Sequence, residues 1–189
     1  MRKPQPSSQF ILNVKHRARF ADGVTPVVGL CVAVNRLGCF MHGCCYGVVC
    51  RTQWPWCVRF PQGSIPEDHQ EWLGLIPLKA SQSLPTHPLQ LYFAAAALLM
   101  SLVTLLLARR RRYDGQVALV GFFFFWATTA ALEGLREVYG SSPTWGPFEQ
   151  LQWVAIGLAL VSFIALAGAE IAHWRRTDRM TPASRPLEV

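Results

Sequence analysis

The sequence predicts an all-α fold: a polytopic bundle of about four membrane-spanning helices with one long outer loop. Three observations predict it. The chain of 189 residues is 51 % hydrophobic. Only 15 % of its residues are charged, against roughly 25 % in ordinary soluble domains. Its formal charge of +7 lies in short basic clusters between long apolar runs. In a soluble protein such a balance would point to nucleic acid; the clustering points to a membrane instead, so no nucleic-acid partner is expected.

Residues 1–23 read as a basic cytosolic arm carrying Arg2, Lys3, Lys15, Arg17 and Arg19. Pro4 and Pro6 argue against a helix at its start. The arm has no apolar core ahead of a small-residue cleavage site, so entry into the membrane is expected from internal segments. The membrane domain runs over residues 24–172. Its first span, residues 24–41, "VTPVVGLCVAVNRLGCFM", is close to the minimum length. Asn35 and Arg36 interrupt it. Charge at membrane depth is costly, so Arg36 either snorkels to the interface or faces a polar cavity inside the protein.

Residues 42–87 form the outer loop. Trp54, Trp56 and Trp72 suit the membrane–water boundary, where an indole keeps its N–H wet and its ring dry. "WPWCVRFP" reads as a short strand or an extended interfacial segment. Residues 88–108 form the clearest span: Pro88 suits its first turn, and "RRRR" at 109–112 ends it. Residues 115–138 follow after a short turn, so the two should form an antiparallel hairpin. A turn-rich loop at 140–150 leads to the last span, 151–172, and residues 173–189 are read as a cytosolic tail. The basic clusters flank alternate ends of the four segments. By the positive-inside rule both termini are then cytosolic, and the cysteine-rich loop is outside.

This threading brings Arg36, His87, Glu133 and Arg136 to one face. On a helix continued to 138, Glu133, Arg136 and Glu137 would share a side, and Glu133 could pair with Arg136 or with Arg36. One reading is an ion network tying helices together. The other is two guanidinium groups, each a rigid fork of donors, converging on a phosphate. The six cysteines all lie between Cys31 and Cys57. Cys39, His42, Cys44 and Cys45 form C-x2-H-x-C-C, with Cys50 and Cys57 behind. Zinc would ask for a tetrahedron that adjacent cysteines reach awkwardly. A disulfide suits an exported, oxidising setting, with Cys39 joined to Cys50 or Cys57 among the candidate pairs. Buried free thiols are the third alternative.

Four motifs in order resemble the bacterial prolipoprotein diacylglyceryl transferase family. "NRLGCFMHGCCYG", residues 35–47, resembles its G-R-x-G-N-F-x-N-G-E-x-[YW]-G signature. "HPLQLY", residues 87–92, resembles its H-P-x-Q-L-Y-E motif. "LEGLREVYG" resembles the stretch where a family Glu and Arg lie near the active site, and "WGPFEQLQWVAIGL" resembles its glycine-glutamine turn into the last helix. The resemblance covers about residues 20–170. It implies transfer of a diacylglyceryl group from phosphatidylglycerol to the lipobox cysteine thiol of a prolipoprotein, in a bacterial cytoplasmic (inner) membrane and without a cofactor. The implied catalytic residues are Arg36, Arg136 and His87. The implied substrate-binding residues are Asn35, Gly38, His42, Gly47, Gln90, Tyr92 and Glu133. The departures are Asn35 for a glycine, Cys39 and His42 for asparagines, and Cys44 and Phe93 for glutamates. The family also carries earlier helices and an H-G-G motif, whose expected source is further chain or a partner subunit. The rival expectation is an accessory lipid-binding membrane protein with a disulfide-braced outer loop, drawing on Cys39, Cys44, Cys45, Cys50 and Cys57.

Overall fold

The computed structural model describes residues 6–51, 54–137, 144–145 and 148–180. Its elements are α1 (Pro6–His42), α2 (Ile65–Trp72), α3 (Leu89–Ala108), α4 (Gln116–Glu133), a two-residue pair β1 (Thr144–Trp145) and β2 (Phe148–Glu149), and α5 (Gln150–Met180). Among the described residues four helices are long and apolar enough to cross a membrane: α1, α3, α4 and α5. The protein is thus an all-α, multi-pass helix bundle. α3 has 20 residues, or about 30 Å at 1.5 Å per residue, the thickness of a bilayer's hydrocarbon core.

The arm is not an irregular lead-in, and here the sequence expectation is corrected. α1 begins at Pro6 and runs unbroken for 37 residues. A proline in the first turn costs little, because the N–H it lacks has no acceptor there. α5 likewise continues through the basic cluster of 173–179 to Met180. α4 is shorter than expected. It stops at Glu133, with Gly134 as its C-cap, because Arg136 leaves the helix to form a β-bridge with Gly47. Glu133, Arg136 and Glu137 therefore do not lie on one helix. Most of the 140–150 loop lies outside the described residues; its paired ends, β1 and β2, are antiparallel.

α1 packs mainly on α3, and α4 on α5, with α3 against α4. Small residues set the spacing. A Cβ on Gly29 of α1 would meet Ala97 O and Ser101 Cβ, each at 2.9 Å, and one on Gly121 of α4 would overlap Thr25. Ser101 Oγ donates to Pro26 O across α1 and α3 at 2.6 Å. At the arginine-rich end the buried Asp22 of α1 caps α4. It accepts from Gly115 N at 2.8 Å and Ala118 N at 2.9 Å, and it pairs with Arg111 at 3.6 Å. It thereby satisfies amides that open a helix without partners. Beside it Glu170 accepts from Gln116 Nε2 at 2.6 Å and Tyr113 Oη at 3.3 Å. Burial, then the nearby Glu170 carboxylate, pushes the Tyr113 phenol up to about 12.

The loop at the opposite end is ordered rather than open. "WPWCVRFP" opens with a turn at Pro55 and Trp56, closed by Cys57 N donating to Trp54 O at 3.1 Å, and only its second half is extended, where isolated bridges join Val58 to Thr86 and Pro61 to Gln82. Tyr46, only 1 % exposed, packs near Phe60 and bonds His69 Nδ1 at 2.7 Å. Glu67 of α2 accepts from Gly63 N at 3.0 Å, and Gln70 Oε1 accepts from Leu84 N at 2.7 Å. Trp54, Trp56 and Trp72 remain exposed.

Candidate functional site

The site begins with a stripe on α1. Val24, Val28 and Val32 recur at i, i+4, and the next position in that stripe is Arg36. The three valines, with Met100 of α3 and Gly121, Phe122 and Phe125 of α4, line an open apolar groove of about 450 Å³. A narrower cleft continues it past Val32, Ala97 and Thr129 to Phe93. Arg36 closes that end: its guanidinium carbon lies 4.5 Å from the centre of the Phe93 ring. A cation over an aromatic face gains about 0.5–2 kcal/mol. Among the described residues no carboxylate lies within ion-pairing distance of Arg36. The half-buried group thus keeps donors for an oxyanion while resting on apolar surface. Phe93 stands where the H-P-x-Q-L-Y-E motif has its final glutamate, so the group under Arg36 is an aromatic ring rather than a carboxylate.

Arg136 is used differently. It pairs with the buried Glu133 in a short charge-assisted hydrogen bond. Burial acts to lower its pKa; Glu133 and, less strongly, Cys45 outweigh burial and hold it above the ordinary arginine value. Glu133 therefore pairs with Arg136, not with Arg36.

Gly47 is the junction that joins these pieces. Its N–H donates to His87 O at 2.9 Å, Val48 N donates to Leu135 O at 2.9 Å, and Glu137 N donates to Tyr46 O at 3.2 Å. A Cβ at Gly47 would sit 2.8 Å from Leu135 O and 2.9 Å from His87 Cβ. Only glycine fits between those two backbones. Gln90, fully buried, donates from Nε2 to Cys44 O at 2.7 Å and so pins the turn after α1 to α3. His87 Nδ1 lies 3.2 Å from Tyr92 Oη. That pair braces the loop beside the Cys50–Cys57 bridge. Asn35, Gly38 and His42 are exposed on α1, and a Cβ at Gly38 would meet nothing within 4 Å.

The disulfide joins Cys50 to Cys57. The candidate pairs from Cys39 to Cys50 or Cys57 are corrected, and Cys44 and Cys45 are also free thiols. The reason is topological. Cys50 and Cys57 close a small loop whose flanking segments both pair with Thr86, whereas Cys39 lies back on α1. Gly43 at φ +80° and Cys45 at φ +59° reverse the chain directly after α1. That reversal brings the sulfur atoms of Cys39, Cys44 and Cys45 within 4.8 Å of one another, without His42. Burial, then contact with Cys39 and Cys45, pushes the Cys44 thiol up to about 11, so alone it is no thiolate at neutral pH.

Sequence reasoning missed Phe93 as the platform for Arg36 and Asp22 as the cap of α4. The first had a signal: the valine stripe at i, i+4 runs directly into Arg36. The second had none within reach, since Asp22 and Gly115 are far apart in the chain.

The family model for prolipoprotein diacylglyceryl transferase matches residues 9–167. A phosphatidylglycerol–prolipoprotein diacylglyceryl transferase of Rhodopirellula baltica is 46 % identical over 46 residues, 24 % of this chain and 9 % of that protein. The protein of that name from Burkholderia thailandensis is 36 % identical over 89 residues, 41 % of this chain and 29 % of the relative. For Paraburkholderia xenovorans the figures are 37 % over 82 residues, 38 % and 27 %. The chain spans less than a third of the length of the curated relatives it matches. No solved structure matches it.

Proposed function

The chain belongs to the prolipoprotein diacylglyceryl transferase family, and from that premise we propose that it moves a diacylglyceryl group from phosphatidylglycerol to the lipobox cysteine of a prolipoprotein. The observation that carries this reading is Arg36. An unpaired guanidinium at the end of an apolar groove has the shape of a phospholipid: phosphate on the donors, acyl chains along Val24, Val28 and Val32. The acceptor sulfur, as thiolate, attacks the glycerol carbon that bears the phosphate ester. The carbon–oxygen bond breaks, its electron pair leaves with glycerol phosphate, and the thiol proton goes to solvent. Arg36 stabilises the charge that grows on the departing phosphate. Arg136, held by Glu133, and His87, held by Tyr92, act as positioning residues for the loop around this site.

The family supports a location in the bacterial cytoplasmic membrane, and the positive-inside rule supports both termini in the cytosol and the cysteine end outside. The exposed Trp54, Trp56 and Trp72 fit that boundary. The test is the purified chain in phosphatidylglycerol vesicles with acyl-labelled lipid and a lipobox peptide. Label in a thioether-linked peptide, with release of glycerol phosphate, is the expected result. Lipid binding without either product would reject the transfer and leave an accessory lipid-binding role.

A further inference from the structure

We propose that Cys39, Cys44 and Cys45 bind one zinc ion through three thiolates, leaving its fourth coordination position open to a thiol. Three independent features converge. The first is geometry: the three sulfur atoms lie within 4.8 Å of one another. Zinc–sulfur bonds of about 2.3 Å in a tetrahedron set sulfur atoms about 3.8 Å apart, so a contraction within one turn completes the site. Consecutive residues in extended chain point to opposite faces, yet Cys44 and Cys45 both reach Cys39, because Cys45 is held at φ +59°. A side chain other than glycine is disfavoured there, and such a conformation is retained where the side chain is needed.

The second feature is number. Cys50 and Cys57 are already oxidised to a disulfide, and Cys31 is remote from the cluster. Three thiols cannot all pair as disulfides, whereas one metal ion uses all three. The third is charge. Three thiolates on a divalent ion carry one net negative charge, and Arg136, the partner of Glu133, is a cation near enough to act on Cys45. No histidine joins the group, and the segments outside the described residues contain neither cysteine nor histidine. A site with three protein ligands and a free position is of the catalytic rather than the structural type. Zinc deprotonates a thiol that binds it. This meets a need of the proposed transfer, a means of making the acceptor a thiolate. That role of the open position rests on the transfer reading; the metal site does not.

The test uses the full chain in detergent with reductant and without chelator. Elemental analysis should give one zinc per chain. Cys39→Ser and Cys45→Ser should each weaken retention tenfold or more, and Cys31→Ser should leave it unchanged. Because the serine variants could misfold, cobalt(II) is also titrated into metal-free wild type. Thiolate charge-transfer and tetrahedral ligand-field bands should saturate at one equivalent, and adding a lipobox peptide should shift them. No zinc and no cobalt spectrum from reduced protein would overturn the site. So would retention indifferent to Cys39 and Cys45, or occupancy of these thiols by copper(I) with zinc excluded. A cobalt spectrum blind to the peptide would overturn the open position. Metal binding without lipid transfer would sink the transfer reading and leave the site standing; transfer at full rate by metal-free protein would overturn the role given to the open position and leave the transfer reading standing.

Discussion

Replacing Gly47 by alanine tests how the outer loop is fastened to the bundle. The added Cβ would lie 2.8 Å from Leu135 O, 2.9 Å from His87 Cβ and 3.0 Å from His87 O. Two of those contacts are backbone oxygens on opposite neighbours, so no rotamer change relieves them. Overpacking of this kind costs about 1–3 kcal/mol. If the segments part instead, the bonds Gly47 N to His87 O, Val48 N to Leu135 O and His87 N to Val48 O are lost. At about 0.5–1.5 kcal/mol each, that route costs no less. The expected loss is about 3 kcal/mol, or about 6–12 °C in Tm for a chain of this size. Gly38→Ala is the internal control: nothing lies within 4 Å of its Cβ, and alanine in mid-helix gains up to about 1 kcal/mol. Thermal unfolding in detergent, followed by circular dichroism, reads both. A Gly47→Ala protein melting within about 2 °C of wild type would refute the clamped junction, since a loss below about 1 kcal/mol lies outside the range worked here.

Other perturbations address the rest of the architecture. Thiol titration in denaturant without reductant and with chelator should find four reactive groups; six would contradict the Cys50–Cys57 bridge. Reducing that bridge should cost about 2.5 kcal/mol on the chain-entropy estimate for so short a loop. Asp22→Asn should destabilise by about 2 kcal/mol, because a buried charged acceptor is lost. Hydrogen exchange at Gly115 and Ala118 should accelerate, and unchanged exchange would remove Asp22 as the cap of α4. Tyr113 titrates at about 12 in the fold against an ordinary 10.0. The folded state holds that proton more tightly, so its contribution to stability is intact below pH 10 and is lost as pH rises towards 12. An ultraviolet titration of wild type against Tyr113→Phe should show the missing phenolate near pH 12, and a component near pH 10 would contradict the burial.

The spans could be read from sequence because lipid imposes a requirement that each segment meets alone: about twenty apolar residues, bounded by basic clusters. Helix ends were less legible. Pro6 opens α1 because a first turn tolerates it, and α4 stops at Glu133 because Arg136 pairs with Gly47, a partner distant in the chain. The site divides the same way. Arg36 was conspicuous as a charge in an apolar run, and Gly47 lay within a recognisable signature. That Arg136 belongs to Glu133, and that Phe93 lies under Arg36, depends on how α1, α3 and α4 pack. The cysteines were least legible of all, since their pairing turns on the left-handed bend at Cys45 and on the strand-like pairing with Thr86.

The central claim is that the Arg36 guanidinium receives the lipid phosphate. Its most direct test is release of glycerol phosphate from phosphatidylglycerol vesicles, with a lipobox peptide as acceptor, by wild type, Arg36→Lys and Arg36→Ala, with unfolding curves run in parallel. Loss of a charged transition-state contact of about 3–4 kcal/mol predicts a fall of roughly 10²–10³-fold for alanine. Lysine should recover only part of it, because a point charge lacks the fork. Loss of the contact with Phe93 should lower the melting temperature of Arg36→Ala by only about 1–8 °C, so the fold is retained. Equal turnover by Arg36→Ala and wild type would contradict the account.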